Sequence, residues 1–452
     1  MAFTAVLAAA VPLACGDTDE EADKQEESCA LVDEKGCEDG LVCEEVAGGD
    51  PACFPPVIVR GSVIDTATGA AIAGARVVAR DANGAAVSSV AVSAPDGSYE
   101  LAVPAPRDED GKPTSETLYT LRADAAGYLT FPRAPREALP VDVSKASGEP
   151  LVVSSAATAI GLIKLPDAGA TGSVSGTVEG EDPGGTLIVV GGQTAVADKD
   201  GAFTVFNVPA GSQEVRAYRL GVALTSASVD VAAGDGVEGV TLGPSAEKTA
   251  TVSGSVAIVN APGGLKTSVI LVVEDTFDER AVRGEAPPGL RVGEVTGAWS
   301  LDGVPPGKYV VLAAFENDNL VRDPDTSIGG TDVQRITVAG AAVTVPGFKV
   351  TESLRVLSPG ATGAEAVSGK PTLSWVDDSS EDEYRVTVYD AFGIEVWKTQ
   401  GDFDPGGSKP VEVAYAGPPL VDGMTYQFRV VSIKDGTPIS ATEDLRGVFY
   451  VK

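Results

Sequence analysis

Val59-Arg60-Gly61-Ser62-Val63 decides the fold, because the pattern returns as Val174-Ser175-Gly176-Thr177-Val178 and as Val252-Ser253-Gly254-Ser255-Val256. Alternating apolar and polar residues suit a half-buried strand, and the central glycine lets a neighbouring backbone come close. Each opening is followed by a second signature: Asp96-Gly97-Ser98-Tyr99 with Val103-Pro104, Asp200-Gly201-Ala202-Phe203 with Val208-Pro209-Ala210-Gly211, and Thr296-Gly297-Ala298-Trp299 with Val304-Pro305-Pro306-Gly307. Asp-Gly supplies a turn of positive φ, after which an aromatic residue alternates into the next strand. The two signatures are 36, 25 and 43 residues apart, glycine to glycine, so three units share a framework and differ in an insert. Repeated short strands with turn signals predict an all-β chain of tandem β-sandwiches.

The composition agrees with that reading. The chain has 452 residues with 53 glycines and 30 prolines, and only 6% aromatics. With no histidine, a histidine general base, a Ser-His-Asp triad and a His-ligated zinc are excluded. Among 65 acidic residues nothing singles out a carboxylate pair for glycoside hydrolysis, and no Ser-Lys motif stands out, so the reading is non-enzymatic. A net charge of -32 opposes nucleic acid as a partner, which needs clustered Lys or Arg. The charge is uneven, since residues 16–50 hold fourteen acids against Lys24 and Lys35.

The run from Gly61 through Asp65-Thr66-Ala67-Thr68-Gly69, Gly74-Ala75-Arg76-Val77, Asp96-Gly97-Ser98-Tyr99 and Ala126-Gly127-Tyr128 resembles the carboxypeptidase regulatory-like domain. That resemblance implies a transthyretin-like, seven-stranded sandwich. It is an accessory module of secreted and cell-surface proteins, with no catalytic residues to carry over and some members in a wider carbohydrate-binding-like fold group. Residues 57–150 carry nearly the whole pattern. Residues 172–243 keep the two signatures without the middle segment, and residues 250–350 keep them and carry the longest insert, 274–293. Residues 354–452 are different. Pro371-Thr372-Leu373-Ser374-Trp375 and Leu420-x-x-Gly423-x-x-Tyr426 resemble a fibronectin type III domain, which implies a core Trp375 and a Tyr426 hydroxyl returning to the upstream backbone.

Residues 1–14, MAFTAVLAAAVPLA, are apolar and uncharged. They are too short for a membrane-spanning helix of about 20 residues and fit a signal-peptide core. Val11-Pro12-Leu13-Ala14-Cys15 resembles a bacterial lipobox, which implies that Cys15 carries the lipid and joins the chain to a membrane. By the same resemblance Gly16 points to the outer membrane. Residues 15–28 then form an acidic, self-repelling tether. Cys29, Cys37, Cys43 and Cys53 fall within residues 29–56 and predict two disulfides, with three connectivities open. Cys37-Glu38-Asp39-Gly40-Leu41-Val42-Cys43 resembles small Cys-x-x-Gly-x-x-Cys modules, which implies Cys29 with Cys43 and Cys37 with Cys53.

Two places invite a ligand. Glu316, Asp318, Asp323 and Asp325 offer the oxygen chemistry of calcium, the only cofactor the sequence suggests; the plain alternative is a solvated loop with Arg322 as counter-charge. Trp397 offers a ring for stacking on a carbohydrate, against a plain role in packing. The leading expectation is a non-enzymatic cell-envelope lipoprotein, a structural or ligand-presenting β rod. The alternatives are a carbohydrate-binding surface protein, then a calcium-stabilised adhesin or protein-interaction scaffold.

Overall fold

A computed structural model describes residues 29, 36–38, 40–115, 118–166, 169–314, 318–326, 330–378, 380–403 and 410–452. The signal segment, Cys15, the tether and Glu316 lie outside the described residues. The described chain is built of β-sheets, and its helix is limited to short 3-10 turns such as Glu274–Thr276.

Each Val-x-Gly-x-Val opening becomes the central strand of a sheet, and the three sheets share one plan. Val57–Asp65 pairs antiparallel with Ser98–Val103 on one side and parallel with Ala159–Lys164 on the other. Thr171–Val178 lies likewise between Ala202–Pro209 and Gly236–Leu242. Ala250–Ile258 lies between Ala298–Val304 and Phe348–Glu352. A four-stranded antiparallel sheet faces each of them. The first sandwich therefore runs past residue 150: the closing strand at 159–164 follows a segment with neither signature.

The register explains why the signatures recur together. Gly61 lies opposite Tyr99, Gly176 opposite Phe203 and Gly254 opposite Trp299. Each aromatic ring lies over the facing glycine and is buried, at 3%, 2% and 5% exposure, in the space a side chain would fill. Such pairing covers the backbone that a strand glycine leaves bare. The Asp-Gly turns hold as read in two units, with φ of 78° at Gly97 and 85° at Gly201. In the third, the left-handed residue is Glu294, at 58°, and Gly297 is free of that requirement.

The last sandwich sets Val356–Ser358, Thr372–Trp375 and Val411–Ala414 against a larger sheet centred on Glu383–Asp390 and Thr425–Lys434. Trp375 is fully buried and edge-on to Tyr384 at 5.2 Å. The Tyr426 hydroxyl accepts from the Val421 amide at 2.9 Å, so the Leu-x-x-Gly-x-x-Tyr spacing closes a backbone loop.

Cys29 is joined to Cys43 and Cys37 to Cys53, with Cα separations of 5.7 and 5.5 Å. The cystine-linked hairpin is pinned to the first sandwich by Glu44, which pairs with Arg107 and accepts from Ala105 N; both charged side chains are almost fully buried. Glu44 is thus not part of the solvated acidic excess. Burial pushes its carboxyl above the usual range, opposed by Arg107.

The four sandwiches form one body, which corrects the expectation of a rod. Val78 and Ala86 of the first unit and Leu187, Val189 and Tyr218 of the second share an apolar cluster with the core of the third. Leu129 and Ile163 of the first unit pack on Ala391 of the fourth. In a rod only neighbours in sequence would touch. Two strands are buried on both faces, Leu187–Val190 and Thr267–Val273, and Leu187 and Val189 of the first of these meet the third unit. The outer face of the second of these, Ile270 and Val272, is covered by Phe277, Val282 and Ala286 of the 274–293 insert.

Candidate functional site

Polar side chains knit the units together. Asn207, held at φ 59°, accepts from Gly127 N at 2.6 Å and donates to the carbonyls of Ala125 and Tyr128. Arg122 of the first unit, 1% exposed, holds Asp124 bidentately and donates to Thr194 O of the second at 3.0 Å, with Glu285 of the third at 4.0 Å. Between the third and fourth units, Arg429 donates to Ala281 O at 2.7 Å and pairs with Asp444.

Glu443 sits in the same junction, 5% exposed, accepting from Asn319 N with Arg446 at 3.8 Å and with Asp318 and Asp444 facing it. Burial raises its carboxyl from 4.5 to about 7, against the Asn319 and Arg446 contacts and with help from the two aspartates. The folded state therefore binds more protons than the unfolded one between those values, so this group's contribution falls as pH rises through that window and is level above it. Measured by urea midpoint, Glu443→Gln is expected to stabilise the protein more at about pH 8 than at about pH 5. An equal effect at both would show that Glu443 ionises normally.

The carboxylates expected to gather calcium are committed to protein partners. Asp318 accepts from Thr267 Oγ1 and from Leu320 N at 3.0 Å. Asp323, 3% exposed, pairs with Lys349 at 2.9 Å and accepts from Asp325 N. Asp325 is 6% exposed and also engaged. Among the described residues these three do not converge on a common point; the oxygens or sulfurs that do are those of Cys29, Cys37 and Cys53, in disulfides. Arg322 donates to Thr331 O, a backbone partner rather than the loop's own acids.

Trp397 is half-buried, edge-on to Tyr415 at 5.1 Å and packed on the core of the last sandwich. A better-placed pair escaped the reading: Phe131 and Tyr450 line a hollow of about 500 Å³ between the first and fourth units, with Ile64 and Arg136. Arg136 lies over the Phe131 ring at 4.6 Å and donates to Gly161 O, while its Nη1 is buried without a hydrogen-bond partner. Burial lowers its pKa to about 10. Asp422, Glu137 and Lys452 complete the rim. The two rings are over 300 residues apart in sequence and belong to different sandwiches. Only the packing of units joins them.

No family model and no curated protein matches the chain. Among solved structures it is similar to the Bacillus anthracis TIE protein, at 12% identity and a TM-score of 0.17, over 84% of this chain and 68% of that one. It is also similar to a minor pilin of Streptococcus agalactiae, at 14% identity and a TM-score of 0.18, over 41% of this chain and 99% of that one. A DUF3823 family protein from Bacteroides ovatus is similar at 14% identity and a TM-score of 0.19, over 45% of this chain and all of that one, 100%.

Proposed function

We propose that this is a non-enzymatic cell-envelope protein, held at the outer membrane by lipid on Cys15 and by the acidic tether, whose four sandwiches form a single ligand-presenting body. The packing of non-adjacent units carries the reading, because it fixes hollows between sandwiches that a flexible string could not hold. Palmitate labelling of whole cells tests the anchor. Incorporation should vanish in Cys15→Ala, and equal labelling of the variant would remove the lipid from the proposal.

A second reading, carbohydrate binding, is favoured by one observation: the Phe131 and Tyr450 rings in one hollow with polar groups around them. Ring faces bury the apolar faces of sugars while the polar rim meets hydroxyls. On a glycan array, binding should be lost in Phe131→Ala and Tyr450→Ala and kept in Trp397→Ala. Loss only in Trp397→Ala would return the role to that residue, and no binding by the parent protein would end the carbohydrate reading.

A further inference from the structure

A second cavity, of about 220 Å³, lies between the third and fourth units and has the opposite character. Its walls carry Arg280, Arg322, Arg385 and Arg429, with Tyr389 and Thr387 beside them, and its single acidic residue is Asp444. Buried beside Arg429 and Asp444 is a fifth guanidinium, Arg283, 8% exposed, which donates to Gln427 and leaves Nη1 without a hydrogen-bond partner. The other carboxylates in range of Arg283 and Arg322 are Asp278, Asp323, Asp332 and Asp390, and Asp323 is taken by Lys349.

In a chain of net charge -32, four arginines gather at one cavity, Arg280 exposed and Arg322, Arg385 and Arg429 half-buried. Arg283 is the buried cation of the group, and the cavity wall itself offers one carboxylate, Asp444, already engaged by Arg429. Besides Arg283, two at the cavity wall keep donors free. Arg280 has no ion-pair or hydrogen-bond partner for its guanidinium among the described residues. Among the described residues, Arg385 uses only Nε, towards Gln400 at 3.2 Å. Guanidinium forks match oxyanions two bonds at a time, and a low-dielectric cleft strengthens that match.

We propose that this cavity binds an oxyanion, a carboxylate or phosphate group, borne by a molecule no larger than a single sugar ring. At about 30 Å³ per water, the space holds roughly seven waters, enough for one such group and a small body against Tyr389 and Thr387. The site is separate from the Phe131 hollow, and it does not depend on the lipid anchor.

Calorimetric titration of the purified full chain with glucuronate, inorganic phosphate and glucose, at matched ionic strength, tests it. Saturable binding is expected for at least one of the two anions and not for glucose; which anion binds more tightly separates a carboxylate ligand from a phosphate. The Arg280→Gln/Arg385→Gln double variant changes two side chains at the rim, leaves the Arg429–Asp444 pair in place, and should weaken binding by about tenfold or more while the melting temperature of the ligand-free protein holds or rises. Parent protein that binds neither anion up to about 10 mM, or a double variant with unchanged affinity, would overturn the proposal.

Discussion

Asp124→Ala is expected to destabilise the protein by about 3–5 kcal/mol, the range for stripping the partner from a buried ion pair. Arg122 is 1% exposed and its guanidinium rests on Asp124 through bonds of 2.8 and 3.0 Å. Burial opposes its charge, and Asp124 with Glu285 more than offset that, so its pKa is held above the ordinary value. Arg80 lies in the same field, pushed down to about 10 by burial and by Arg122. Removing Asp124 leaves the buried Arg122 beside the half-buried Arg80, with Glu285 4.0 Å from Arg122. Arg122→Met takes away the charge, keeps much of the stem and leaves Asp124 with Thr130 Oγ1 at 2.6 Å, so it should cost clearly less. Urea unfolding of both variants decides the matter: equal losses would mean that packing, not the unpaired charge, sets the cost.

Gly176→Ala should have an effect of similar size. A Cβ there would stand 1.9 Å from the carbonyl oxygen of Val240 and 2.9 Å from the Phe203 ring. The carbonyl belongs to the parallel neighbour strand and cannot swing aside as a side chain would, so the central ladder must part. The expected loss is about 3 kcal/mol, at the upper end of overpacking costs. Gly297→Ala is the matched control, since nothing lies within 4 Å of its added carbon and no positive φ is needed. It should change stability by no more than about 0.5 kcal/mol. A melting curve for Gly176→Ala that overlays the parent's would refute the close approach.

The framework of each sandwich was legible because it is local. Val-x-Gly-x-Val and the aromatic after the turn are short strand signals, and their separate recurrence anticipated a pairing that the register then made explicit in Gly61 with Tyr99. Trp375 and Tyr426 were legible for the same reason. What stayed hidden is non-local. Arg122 and Arg283 look in sequence like solvated surface, and only the neighbouring sandwiches bury them. Leu187-Ile188-Val189-Val190 and Val269-Ile270-Leu271-Val272-Val273 did carry a signal, an unbroken apolar run where a sandwich open to water on one side would alternate. At Leu187–Val190 that break marks a face where units meet, and at Val269–Val273 the face covered by the unit's own insert. The partners of the acids at 318–325 were hidden as well, because their density says nothing about which hydrogen-bond donors surround them.

The parallel pairing of first and last strands in each of the three related sandwiches has a mechanical meaning. Because Thr171–Val178 and Gly236–Leu242 run the same way, the chain enters that sandwich at one pole and leaves at the other. Tension applied through the two ends would slide these strands past one another, stretching every rung of the ladder together instead of peeling rungs off singly. The same holds for Val57–Asp65 with Ala159–Lys164 and for Ala250–Ile258 with Phe348–Glu352. Pulled at its two ends, a body of this construction resists by shear. Its lifetime under force is then set by how fast those three ladders slip, not by its equilibrium stability.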